Sequence, residues 1–146
     1  MPGRLTISLK RDEALRATRV SVGKNKLVYI LIADKRIKYA NGSSRIVYIG
    51  TTKKGLARVA RSVAVRAEEI FQRLRGVREF HARLVVCRPR AGVQTWTKLE
   101  RALLLSFRER FGEIPKCNSQ GRKMRERDEF DYFTRKRIAG IIHELS

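Results

Sequence analysis

Hydrophobic positions change period several times along the chain, and each change predicts an element. Leu27-Val28-Tyr29-Ile30-Leu31-Ile32-Ala33 is an unbroken β-branched and aromatic run, which suits a strand covered on both faces. Arg45-Ile46-Val47-Tyr48-Ile49 repeats that chemistry. Between them residues 34–44 carry Lys35, Arg36, Lys38 and Asn41-Gly42, so a long basic hairpin loop is expected, a common place for substrate contacts on a rigid pair of strands. Past Gly50-Thr51-Thr52-Lys53-Lys54-Gly55 the period becomes helical, with Leu56, Val59, Ala60, Val63, Ala64, Ala67, Ile70, Phe71 and Leu74 on one stripe and Gly76 ending it.

A third strand is predicted over Phe80 to Cys87, closed by Pro89. The second strong helix starts near Trp96 and runs to Phe111, with Gly112 as its stop signal and Pro115 beyond. Ile138, Ile141, Ile142 and Leu145 mark a last helical stripe within Asp128 to Leu145. Ahead of all this, Leu5, Ile7 and Leu9 alternate like a strand, residues 12–19 tolerate a short helix, and Gly23-Lys24-Asn25-Lys26 reads as a turn. The order is strand, strand, helix, strand, helix, helix: a small α/β (α+β) domain with one sheet whose first two strands are antiparallel. Residues 1–26 form an extension, 27–121 the main domain, and 122–146 a basic segment with a C-terminal helix on the same body.

Charge narrows the function. The 146 residues include 34 Lys or Arg against 14 Asp or Glu, a formal charge of +20, spread along the chain rather than held in a detachable tail. Such a field draws polyanions, with nucleic acid first and an anionic membrane second. The membrane is disfavoured, because no amphipathic anchor or lipidation signal is present and the longest apolar run is too short to cross a bilayer. The start lacks the apolar core of a secretory signal, so a cytoplasmic protein is expected. Cys87 and Cys117 fit neither a CxxC pair nor a disulfide framework, and with His81 and His143 they match no zinc spacing; both read as reduced packing residues.

The most informative side chain is Glu100. When each residue is advanced by ~100° from Trp96, Leu99, Leu103, Leu104 and Phe107 share one arc and Glu100 lies inside it. A carboxylate there is paired with an arginine, protonated, reaching for solvent, or bound to a cation such as Mg²⁺. Tyr29 and Tyr48 by themselves fit a half-buried strand as space-filling residues with hydroxyls at the rim. Arg58 sits on the polar side of its helix, free to face a ligand or solvent.

Leu27-Val28-Tyr29, Tyr48-Ile49-Gly50, Arg58 at the eighth position after that glycine, Lys98-Leu99-Glu100-Arg101 and Pro115-Lys116-Cys117-Asn118-Ser119-Gln120-Gly121 occur in this order. Together they resemble the GIY-YIG nuclease superfamily over about residues 27–121. The resemblance implies a three-stranded antiparallel sheet flanked by helices and Mg²⁺-dependent phosphodiester cleavage, with Mn²⁺ as a substitute ion. It assigns Tyr29 and Tyr48 as the motif tyrosines, Arg58 as the helix arginine, Glu100 as the metal ligand and Asn118 as the late asparagine. Leu27 and Val28 replace the usual glycine and isoleucine. Ser62, one turn after Arg58, stands where members often carry a histidine or tyrosine that assists proton transfer, and a serine hydroxyl is a poor base.

The implied chemistry suits these residue types. A cation on Glu100 and the guanidinium of Arg58 offset charge on the phosphoryl oxygens. A phenolate accepts a proton from the attacking water, and the sequence does not choose between the two tyrosines. The expected partner is nucleic acid, DNA ahead of RNA, touched by Lys35, Arg36, Lys38, Lys53, Lys54 and Arg61, with 122–127 as a further strip. A protein partner or a second copy would supply specificity. The rival readings are a binder that does not cut and a structural RNA protein of ribosomal character.

Overall fold

The computed structural model describes residues 3–21 and 25–146. Strand β1 (Leu27–Tyr39) pairs antiparallel with β2 (Gly42–Thr52) on one side and β3 (Phe80–Val85) on the other, giving the order β2-β1-β3. Helix α1 (Gly55–Arg73) lies between β2 and β3 in the chain, and α2 (Thr95–Phe111), α3 (Glu129–Tyr132) and α4 (Arg135–Leu145) follow. This is the α+β architecture expected, a three-stranded antiparallel sheet flanked by helices, and no helix among the described residues is long and apolar enough to cross a membrane.

The unbroken apolar run makes β1 the central strand, because only a central strand has both faces covered. Every residue from Leu27 to Ala33 is buried. Val28, Ile30 and Ile32 face a core built with Leu99, Leu103 and Phe107 of α2 and with Ile138 and Ile142 of α4. Leu27, Tyr29 and Leu31 face a second core with Val59 and Ile70 of α1. Helix α2 ends as its sequence directs, on Gly112 at φ 76, where a left-handed residue costs a glycine little.

The connection between β1 and β2 departs from the expected loop. The strands continue to Tyr39 and Gly42, leaving only Ala40 and Asn41 as the turn. Gly42, at φ 97, takes the conformation that L side chains avoid and closes that turn. Its tip is pinned: Asn41 N–H donates to Phe111 O at 2.9 Å and Ala40 N–H to Glu113 Oε2 at 2.7 Å. The charges that suggested a loop sit on a bulge instead, since Ile32 faces Ile46 and the next paired residue is Ile37, opposite Ser44. Asp34, Lys35 and Arg36 leave the ladder there and are exposed; Lys35 reaches Arg75 O at 3.3 Å, and Asp34 accepts from Arg78 N–H.

Three other boundaries move. The last helical stripe is divided, because Phe133 is extended and Thr134 caps α4 by accepting from Arg137 N–H. The third strand stops at Val85. Residues 3–18 form neither the strand nor the helix expected, Arg19–Ser21 make one 3₁₀ turn, and Leu5, Ile7 and Leu9 are each more than 90% exposed. The expected turn at Gly23-Lys24-Asn25-Lys26 falls partly outside the described residues, which resume at Asn25.

Candidate active site

The two motif tyrosines meet through a defect in the sheet. Leu31 faces Tyr48 and Ile32 faces Ile46, so Val47 is an extra residue in β2. A β-bulge of this kind re-aims side chains that strict alternation would send to opposite faces. Val47 and Tyr48 accordingly both pack on the α1 side of the sheet, beside Tyr29, and the two tyrosine rings lie 5.8 Å apart between centroids. Gly50 makes room for them. A Cβ at that position would stand 2.6 Å from Tyr48 Cε1 and 2.9 Å from Tyr29 Oη, closer than packed atoms tolerate.

Helix α1 supplies a partner for each hydroxyl. Tyr29 Oη donates to Ser62 Oγ at 2.7 Å, and Arg66 Nη2 donates to Tyr48 Oη at 2.9 Å. The Arg66 guanidinium also lies over the Tyr48 ring, 3.9 Å from its centre. Arg58, Ser62 and Arg66 are four residues apart in turn, so they form one stripe of α1. Arg58 is exposed on that stripe, one turn before the residue that holds Tyr29. Burial pushes the Tyr48 phenol up to about 12; the neighbouring Tyr29 adds to this, and the Arg66 charge pulls against it.

Asn118 works on the backbone of β2. Its Oδ1 accepts from Ile49 N–H at 3.0 Å, and its Nδ2 donates to Ile49 O at 2.9 Å. Cys117 N–H donates to Val47 O at 2.9 Å. The pair therefore clamps the bulge that turns Tyr48 toward Tyr29. Cys117 itself is buried, as expected of a packing residue, and its thiol is pushed up by that burial.

Glu100 comes from the opposite side of the sheet. Asn25 and Lys26, just before β1, tie the helix starts together: Gly55 N–H of α1 donates to Asn25 O at 3.0 Å, and Lys26 Nζ lies over the Trp96 ring of α2 at 4.7 Å. Arg58 is three residues beyond Gly55 and Glu100 one turn beyond Trp96, so both belong to the same end of the sheet. The Glu100 carboxylate is half-buried and has no hydrogen bond or ion pair among the described residues. Its sequence neighbour Arg101 is committed to Glu129. Burial pushes Glu100 up to about 7, with Arg101 acting weakly the other way. No hydrogen bond joins Arg58 or Glu100 to the tyrosines.

Among the described residues no group of three or more His, Cys, Asp or Glu side chains could enclose an ion. The donor set that remains is one carboxylate oxygen pair with access to water. That fits Mg²⁺, which keeps several of its waters and needs one or two carboxylates, and does not fit zinc.

The basic residues divide into two groups. Lys53, Lys54 and Arg61 are exposed around the start of α1, next to Arg58. Lys35, Arg36 and Lys38 lie six to nine residues further along β1 than Tyr29, roughly 20–30 Å away at strand rise. Arg66 was not foreseen as part of the site, although its spacing of eight from Arg58 puts it on the same helix face. No family model, curated protein or solved structure matches the chain.

Proposed function

We propose that this chain is a Mg²⁺-dependent endonuclease of the GIY-YIG type that hydrolyses phosphodiester bonds in DNA. It would act in the cytoplasm, with a protein partner or a second copy lending specificity. The observation that carries the reading is Glu100, a half-buried carboxylate with no hydrogen bond or ion pair among the described residues, at the end of the sheet where α1 and α2 begin. A desolvated carboxylate is costly in that state, and a bound cation removes the cost.

Each neighbouring group has a role. Arg58, exposed on the α1 stripe, offsets charge growing on the phosphoryl oxygens. A tyrosine accepts the proton of the attacking water. Asn118 fixes the β2 bulge on which Tyr48 is carried. Mg²⁺ on Glu100, or Mn²⁺ in its place, would favour hydroxide over water at the attacking oxygen and share the phosphate charge. Supercoiled plasmid incubated with the protein should be nicked with Mg²⁺ present and left intact in excess chelator. Ser62, holding Tyr29 where an ionisable side chain would help proton transfer, favours the alternative of a binder that does not cut. Tight, salt-sensitive binding with no nicking in either metal would establish that alternative.

The two basic groups should separate binding from cleavage. Each phosphate contact removed flattens the log–log salt dependence of duplex affinity by about 0.9. Replacing Lys35, Arg36 and Lys38 together should flatten that slope and leave the saturated cleavage rate unchanged, because they lie far from Tyr29. Replacing Lys53, Lys54 and Arg61 should flatten the slope and slow cleavage as well. Measured slopes that match wild type for either set would remove it from the footprint.

A further inference from the structure

We infer that Arg66 is a positioning residue that selects Tyr48, rather than Tyr29, as the proton acceptor, an inference that rests on the nuclease reading. The selection follows from what each hydroxyl touches. A guanidinium can only donate. Its hydrogen bond to Tyr48 Oη, at 2.9 Å, and its place over the ring, 3.9 Å from the centre, therefore both strengthen when the phenol becomes a phenolate. Tyr29 has no such partner: its hydroxyl meets the neutral Ser62 Oγ at 2.7 Å, and no cation contacts its ring or oxygen among the described residues.

Access points the same way. Tyr29 is 4% exposed, sealed between β1 and α1, whereas Tyr48 is partly open to solvent. Tyr48 is therefore the more accessible of the two residues to an attacking water. Arg66 Nε is buried and makes no hydrogen bond among the described residues. The guanidinium thus has one polar task, the Tyr48 oxygen. It also compensates in part for the burial and the Tyr29 neighbour that push Tyr48 up to about 12.

In the step so assigned, the water proton passes to the Tyr48 phenolate oxygen and the water oxygen bonds to phosphorus. The bond from phosphorus to the leaving sugar oxygen breaks, and that oxygen takes a proton from solvent. Because the phenolate fraction grows tenfold per pH unit below the phenol pKa, the cleavage rate should climb with pH through the neutral and alkaline range.

Arg66→Met and Arg66→Lys test the assignment, with Tyr48→Phe and Tyr29→Phe as references. In protein carrying fluorotyrosine at its tyrosines, the ¹⁹F resonance missing from Tyr48→Phe reports the ionisation of that ring. Its midpoint should rise by about one pH unit in Arg66→Met and return most of the way in Arg66→Lys. The Tyr29 resonance should stay in place. The rising limb of the cleavage–pH profile should move in parallel and vanish in Tyr48→Phe, while Tyr29→Phe keeps it. An unmoved Tyr48 midpoint in Arg66→Met, or a limb lost in Tyr29→Phe and kept in Tyr48→Phe, would overturn the inference. The fluorine titration needs no cleavage, so an inactive wild type would count against the nuclease reading alone. A thermal midpoint within a few degrees of wild type shows that each variant is folded.

Discussion

Glu100→Gln is expected to lower Mg²⁺-dependent cleavage by about 10²–10³-fold and, in metal-free buffer, to make the protein more stable. The first effect removes the charge that would hold the ion, and a bound ion offsets several kcal/mol of developing phosphate charge. The second follows from burial. Glu100 in the folded chain takes its proton at about 7, above the ordinary carboxylate value of 4.5. Between those two pH values the folded state binds the proton more tightly than the unfolded state does, so wild-type stability falls as pH rises toward 7. Above 7 the full penalty is present, about 3 kcal/mol. Glutamine carries no charge to desolvate, so urea midpoints of variant and wild type should converge near pH 4 and separate above pH 7, with the variant ahead. Added Mg²⁺ should then stabilise wild type in proportion to its binding and leave Glu100→Gln unchanged. A variant that cuts like wild type, or that is less stable at pH 8, would remove Glu100 from the metal site.

The parts of the fold that were legible in the sequence are those set by local composition. The Leu27–Ala33 run made β1 central because nothing polar interrupts it, and Gly112 ended α2 because a left-handed residue was required there. Glu100 was legible because one charge within an apolar arc has few explanations, and its pairing with an arginine is now removed from them. The hairpin differs from the expected loop for a physical reason. Asp34, Lys35 and Arg36 have the composition of a loop, yet they occupy a bulge between two stretches of ladder, and only cross-strand pairing distinguishes the two. The Val47 bulge was hidden by the same limit, since an extra residue leaves no mark on a strand until its partner is known. Residues 3–18 mislead in the opposite sense: Leu5, Ile7 and Leu9 alternate as a strand does but pack against nothing. Arg66 carried a signal in its spacing from Arg58, but nothing local says that its charge would be spent on Tyr48.

Arg101→Ala is expected to destabilise the protein by about 3–5 kcal/mol, because it strands a buried charge that sequence reading did not single out. Glu129 is 1% exposed. It accepts from Arg101 Nε and, at 2.7 Å, from Arg127 N–H, while Arg101 Nη2 donates to Arg125 O at 2.6 Å. Burial alone would raise the Glu129 carboxyl, but Arg101 and the backbone N–H groups of Arg127 and Glu129 hold it below the ordinary range. The depressed value means that this carboxylate contributes stability above the unfolded pKa and loses it as pH falls through the folded one. In Arg101→Ala the sign should reverse. With the guanidinium gone, burial dominates, the carboxyl pKa rises, and mild acid recovers stability by neutralising Glu129. The pH dependence of the urea midpoint therefore distinguishes a stranded charge from lost packing, which would shift the curve without changing its slope. Arg101→Met combined with Glu129→Leu should restore much of the loss, since an apolar pair of similar volume replaces both charges at once. The single variant also probes the site, because Arg101 is the cation that draws Glu100 downward. Its removal should push the Glu100 ionisation further above 7, so that cleavage by whatever fraction stays folded requires more alkaline buffer or more Mg²⁺. An Arg101→Ala protein as stable as wild type at pH 7 would show that Glu129 is satisfied by its backbone donors alone.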